Sequence, residues 1–104
     1  MPYAERLTED QIAVELGRLT AWSREGQAIA RTVRCSTFRE AIGFVGRVAD
    51  AAEAADHHPD ILIRWRRVTL TLSTHASGGL TAKDFAMAAR IDGLVEAGSA
   101  GERG

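Results

Sequence analysis

The chain has 104 residues, 45% apolar and 26% charged, which suits one soluble globular domain with a single core. A formal net charge of −1 offers no long-range field for nucleic acid or an anionic membrane. The one cysteine, Cys35, excludes an internal disulfide and fits a reducing cytoplasm.

The opening MPYAERLTED lacks the apolar region of a signal peptide, and residues 1–7 read as a loose lead-in. The most apolar stretch, Ala41 to Ala55, is cut by Arg47, Asp50 and Glu53, so no membrane span is expected. One domain is expected over 1–96, with a flexible glycine-rich tail over 97–104.

Thr8 and Gln11 fit a capping box, and Ile12, Leu16 and Leu19 repeat at helical spacing, which predicts a first helix over about 9–20. Trp22 ends it and opens a short extended piece. Glu25-Gly26 punctuates a turn, and residues 27–35 read as a strand with Ile29, Val33 and Cys35 facing inward and Arg31 breaking the pattern. Thr37 and Glu40 suggest a second capping box. Phe38, Ala41, Ile42, Val45, Val48, Ala49 and Ala52 then form an apolar stripe that predicts a helix over 38–55. Pro59 lacks an amide hydrogen and disfavours helix at His58, so the helix must stop near His57.

Ile61, Ile63 and Trp65 alternate with polar residues, as do Val68, Leu70 and Leu72. A turn at Arg66-Arg67 would pair Trp65 with Val68, Ile63 with Leu70 and Ile61 with Leu72 on one apolar face. Two arginines suit a tight turn poorly, which favours a longer loop. Ser77-Gly78-Gly79 is a connection, Thr81 and Asp84 make a third capping box, and Phe85, Ala88, Ala89, Ile91 and Val95 mark a last helix over 82–96. The order α-β-β-α-β-β-α points to an α+β fold, an antiparallel sheet covered by helices on one face.

All three histidines, His57, His58 and His75, fall between Glu53 and Asp84. Imidazole exchanges a proton near neutral pH, so their concentration in one window suggests a proton-transfer site. Glu53 stands four residues before His57 and could touch its ring if the helix extends that far. His58 points elsewhere, and His75 must reach both from the end of the last strand.

Each residue also has a plainer role. Glu53 alone is a solvated helix residue, Asp84 a capping acid, and Trp65 a core or interface residue. Arg64, Arg66 and Arg67 alone are a solvated hairpin tip. A His-His dipeptide lacks the spacing of common zinc sites, so no metal is expected. No phosphate-binding glycine loop or nucleophile elbow is present.

The pattern E-x3-HHP-x5-W-x9-H-x8-D, with the strings DHHPD, LTLSTH and GGLTAKD, resembles the pterin-4a-carbinolamine dehydratases. Trp22, the Ala28-Ile29 pair, the FREAIGFVGRVADAAE helix and the KDFAMAARID helix extend the likeness over residues 7–95. The resemblance implies a four-stranded antiparallel sheet with three helices on one side. It also implies dehydration of 4a-hydroxytetrahydrobiopterin, or a related 4a-hydroxytetrahydropterin, to the quinonoid dihydropterin without any cofactor.

On that resemblance, His57 and His75 form the acid/base pair and His58 binds the pterin. Glu53 and Asp84 orient or polarise the rings, and Pro59 and Trp65 complete the supporting set. The resemblance further implies homodimers formed through the sheet, or tetramers through helices; from the charge and hydropathy, no direct nucleic-acid binding and no membrane contact are expected. Where relatives often carry aromatics, this chain has Ala30, Val33 and Cys35. The alternative on the same fold is a non-catalytic assembly protein or a transcriptional-coactivator-type dimerisation protein. Such assembly relatives tend to have eroded histidine motifs, whereas this motif is intact.

Overall fold

Alternation along two central strands decides the architecture. In the computed structural model, which describes residues 5–98, strand β4 (Arg67–Leu72) buries Val68, Leu70 and Leu72 and turns Arg67, Thr69 and Thr71 the other way. Strand β2 (Ala28–Arg34) lies antiparallel beside it, from Ile29 opposite Leu72 to Arg34 opposite Arg67. The short β1 (Ser23–Glu25) pairs with the outer side of β2, and β3 (Asp60–Arg64) with the outer side of β4, so the sheet order is β1-β2-β4-β3.

The inner face of this sheet meets Ile12 of α1 (Glu9–Arg18), Phe44 and Val48 of α2 (Phe38–Ala55), and Phe85, Met87 and Ile91 of α3 (Ala82–Ala97) in one core. The fold is therefore the expected α+β one, with three helices, four antiparallel strands and the order α-β-β-α-β-β-α. None of the described helices is long and apolar enough to cross a membrane.

Arg31 breaks the apolar pattern of β2 for a visible reason. Its guanidinium pairs with the carboxylate of Asp92 on α3, and the same Asp92 oxygen accepts Trp22 Nε1–H at 2.8 Å. One acid thus ties β2, α3 and the segment after α1 together. Helix α1 ends at Arg18, two residues before the expected end, because Leu19 leaves helical geometry and its amide closes on Leu16. That exit lets Trp22 fold back into the core. Residues 1–4 of the expected lead-in lie outside the described residues; after them, Arg6 bridges to Thr81 and Leu7 N–H donates to Leu80 O at 2.9 Å. At the other end, α3 continues to Ala97, and residues 99–104 of the expected tail lie outside the described residues.

Three details differ from the pattern in the sequence. On α2 the buried ridge is Ala41, Phe44, Val48, Ala51 and Ala52, whereas Phe38 and Ile42 remain 52% and 45% exposed. The apolar arc of this helix is wider than the arc the sheet covers, and the large ring of Phe44 takes the centre. Thr37 caps α2 by accepting Glu40 N–H at 3.0 Å, but among the described residues the Glu40 carboxylate does not complete the box.

The third difference is the β3–β4 register, which pairs Ile61 with Leu70, Ile63 with Val68 and Arg64 with Arg67. The two-residue turn is therefore Trp65-Arg66, displaced by one position from Arg66-Arg67, and no longer loop is needed. The slip in pairing is two residues, so every side chain keeps its face. Trp65 takes the positive φ, 58°, that the tight turn requires, and Cys35 N–H anchors Arg66 O at 2.8 Å.

Candidate active site

Two chain ends meet at one edge of the molecule: the exit from α2 and the exit from β4. Helix α2 stops because Asp56 adopts left-handed geometry, φ 51°, with its amide bonding back to Ala52 and Glu53. That reversal redirects the next two side chains. His57 swings toward α3 and places Nε2 2.7 Å from Asp84 Oδ1, while His58 turns back and places Nε2 2.6 Å from Glu53 Oε2. The Glu53–His57 contact suggested by helical spacing does not form, since His57 lies beyond the helix, and Glu53 serves His58.

Asp84 is the most deeply placed charged residue of the site, 0% exposed. It occupies the third position of α3, near the positive end of that helix dipole. Its Oδ2 accepts Thr81 N–H at 2.9 Å and Thr74 O–H at 2.7 Å, leaving Oδ1 for His57. Thr74 Oγ1 is 2.8 Å from Thr81 Oγ1, and Thr81 Oγ1 also accepts Lys83 N–H at 3.2 Å. An ionised carboxylate only accepts, so His57 Nε2 must donate and its proton-exchanging nitrogen is Nδ1. The more exposed Glu53–His58 pair imposes the same tautomer more weakly.

Thr74 links this network to the third histidine. It directly precedes His75, which opens a single 3-10 turn, His75–Ser77. Gly78 closes that turn at φ +75°, and a Cβ at Gly79 would come within 3.0 Å of Gln27 Oε1. The positive φ favours glycine at position 78, whereas a side chain at position 79 would need the Gln27 and Arg6 side chains to shift. The His75 ring is exposed and has no hydrogen-bond partner among the described residues.

His58 and His75 line one cleft of about 330 Å³ together with Asp60, Thr71, Ser73 and Gln27. His57, 12% exposed, lines a neighbouring groove of about 430 Å³ between α2 and α3, beside Met87, Lys83 and Arg90. Pro59 follows His58 directly and ends where β3 begins. Trp65 is not brought to either hollow. It stands 70% exposed at the turn at the far end of β3, with the Arg66 guanidinium 4.8 Å above its ring.

Sequence reasoning missed Thr74 and the second function of Thr81. The only available signal was the position of the threonine immediately before His75. Among the described residues, no group of three or more His, Cys, Asp or Glu side chains is placed to hold a metal ion.

The family model described as pterin 4 alpha carbinolamine dehydratase matches residues 5–94, which include every strand and all the site residues named above. The chain belongs to this family. A Nocardia farcinica protein provisionally named as a pterin-4-alpha-carbinolamine dehydratase is 56% identical over 91 residues, covering 88% of this chain and 96% of the relative. A similarly named protein of Roseiflexus castenholzii is 54% identical over 92 residues, covering 88% and 99%.

Among solved structures, a transcriptional coactivator/pterin dehydratase from Brucella melitensis superposes with a TM-score of 0.83 at 35% identity, covering 86% of this chain and 98% of that one. A pterin dehydratase-like RuBisCO assembly factor of the alpha-carboxysome superposes with a TM-score of 0.61 at 23% identity, covering 71% and 88%, and shares the fold. Pterin 4 alpha carbinolamine dehydratase membership thus extends over nearly the whole chain.

Proposed function

We propose that this protein dehydrates a 4a-hydroxytetrahydropterin, such as 4a-hydroxytetrahydrobiopterin, to the quinonoid dihydropterin, and so returns pterin to hydroxylases of aromatic amino acids. One observation carries the reading. Asp84 binds His57 and also Thr74, the residue before His75, so the mountings of the first and third imidazoles share one buried carboxylate. His58 and His75 face a common cleft beside that network.

The reaction breaks the C4a–O bond and the N5–H bond, forms C4a=N5, and releases water. A protonated imidazole delivers its proton to the leaving hydroxyl, and a neutral imidazole accepts the N5 proton. His57 and His75 are proposed as this pair, with His58 holding the pterin. Each proton transfer contributes roughly 10²–10⁴-fold. Asp84 and Glu53 act as positioning residues, since they hold Nε2 of His57 and His58 and leave each Nδ1 available. The reaction changes no oxidation state and so calls on no redox cofactor. The protein is proposed to work in the cytoplasm as a homodimer or homotetramer.

The Brucella melitensis relative, named as both coactivator and dehydratase, favours a second reading in which the same fold also docks a partner. A direct assay separates the two. With 4a-hydroxytetrahydropterin generated in situ, quinonoid product should form faster than the uncatalysed rate, and His75→Ala should lose on the order of 100-fold while staying folded. A wild-type rate equal to background would leave only the binding role.

A further inference from the structure

The described helices cover one side of the sheet, and none of them covers the opposite side, where Ala30 is buried but Arg34, Arg67, Arg64 and Leu62 are exposed. On that side the register sets Arg34, Arg67 and Arg64 abreast on β2, β4 and β3, with Arg67 directly opposite both others. The preceding row is Thr32, Thr69 and Leu62, in which Thr32 and Thr69 hydroxyls meet at 2.8 Å and Leu62 is 54% exposed. Like charges directly opposite on neighbouring strands are destabilising, and the chain concentrates them here although its net charge is −1. Neither Arg64 nor Arg67 has an ion-pair partner among the described residues. Trp65 and Arg66 stand at the adjoining turn, so two exposed apolar side chains flank the cations.

We propose that this end of the open face is a docking site for an acidic amphipathic helix of a partner protein. Strands lie about 4.8 Å apart, so the arginine row repeats at that interval across the sheet. Carboxylates one turn apart on a helix repeat at about 5–6 Å. A helix laid across the strands therefore presents carboxylates to the Arg64 and Arg67 guanidinia and an apolar neighbour to Leu62 and Trp65. Covering a bare sheet face with a helix is also the ordinary way such a face is buried. Phosphate backbones fit less well, because the exposed Leu62 adjoins the row and Asp60 lies farther along the same face of β3. Thr71, which lines the histidine cleft, is four residues from Arg67 along β4, about 13 Å, so the docked helix leaves that cleft open.

The test uses the full chain and a fluorescent alanine-based peptide with Glu at every fourth position and Leu beside each Glu. A peptide of identical composition with the Glu residues distributed around the helix is the control. The patterned peptide should bind about tenfold tighter than the control, and Arg64→Glu with Arg67→Glu should weaken it by about tenfold or more at unchanged melting temperature. Replacing each Glu of the peptide by Lys should restore binding to that variant, and pterin turnover should be the same in both proteins. Equal binding of both peptides, or no effect of the double variant, would overturn the proposal. Tighter binding of oligo-dT, or a change in the protein's own oligomeric mass with no peptide binding, would reassign the face to nucleic acid or to a second copy.

Discussion

Asp84 combines two tasks that a single substitution can separate. In Asp84→Asn the amide oxygen can still accept Thr81 N–H and Thr74 O–H, which preserves the cap of α3. The amide nitrogen then faces His57 Nε2 and must donate, which moves the ring proton to Nδ1 and removes the free lone pair there. Turnover should fall on the order of 100-fold with little loss of stability, and the reversed tautomer should be visible in the ¹⁵N shifts of His57. Asp84→Ala instead strands several buried donors and should cost about 1–3 kcal/mol for each one left unsatisfied. Equal behaviour of the two variants would refute the separation.

Cys35 gives a second residue-scale test. Burial pushes its thiol up from the ordinary value, and the nearby Glu40 carboxylate adds to the effect. The folded state keeps the proton at a pH where the unfolded chain begins to lose it. The associated stability is therefore present below the unfolded thiol pKa and is lost as pH rises through the folded one. The thiol should resist a disulfide reagent in the native state and react fully in denaturant.

The residue types of the site were visible in the sequence, but their pairings were not. Glu53 and His57 are four apart, a spacing that joins side chains only while the helix continues. The left-handed Asp56 cancels that relation and sends His57 to a partner 27 positions away.

At the scale of elements, α2 shows how far periodicity can be taken. Its boundaries agree with the expected 38–55, because Thr37 and the His57-His58-Pro59 sequence punctuate both ends. The buried face was legible only as an arc, and the sheet selects one ridge within it. Phe44→Ala should therefore cost about 3–5 kcal/mol, whereas Phe38→Ala should cost less than about 1 kcal/mol. Comparable losses in chemical denaturation would restore the stripe drawn from the sequence.

The helix end is equally testable. Asp56→Gly suits a left-handed residue and should leave stability unchanged or raise it by up to about 1 kcal/mol, while Asp56→Val should lower it by roughly 1 kcal/mol or more. In the β3–β4 hairpin the alternation settled which residues face the core and left the pairing free by steps of two. The turn chose among those pairings, with Trp65 accepting the positive φ.

For the molecule as a whole, the order of elements and the helix-covered sheet followed from alternation, capping and turn residues. The open face did not, because an arginine row exists only once β2, β4 and β3 are aligned. The exposed Phe38 and Ile42 on α2 and the uncovered edge of β3 are where the proposed association of copies would act. A Phe38→Ser, Ile42→Ser double variant should keep its fold and lose helix-mediated association, read as a lower mass by light scattering. An unchanged mass would remove α2 from that role.

The claim that underlies the proposed chemistry is that one bicyclic ligand addresses all three imidazoles. Titrating a non-reacting pterin analogue while following the ring resonances of His57, His58 and His75 measures this directly. The three should shift together along one binding curve, and all three should lose that response at the same concentrations in Asp84→Asn. A response confined to His58 and His75, or one curve for His57 and another for the cleft, would contradict it.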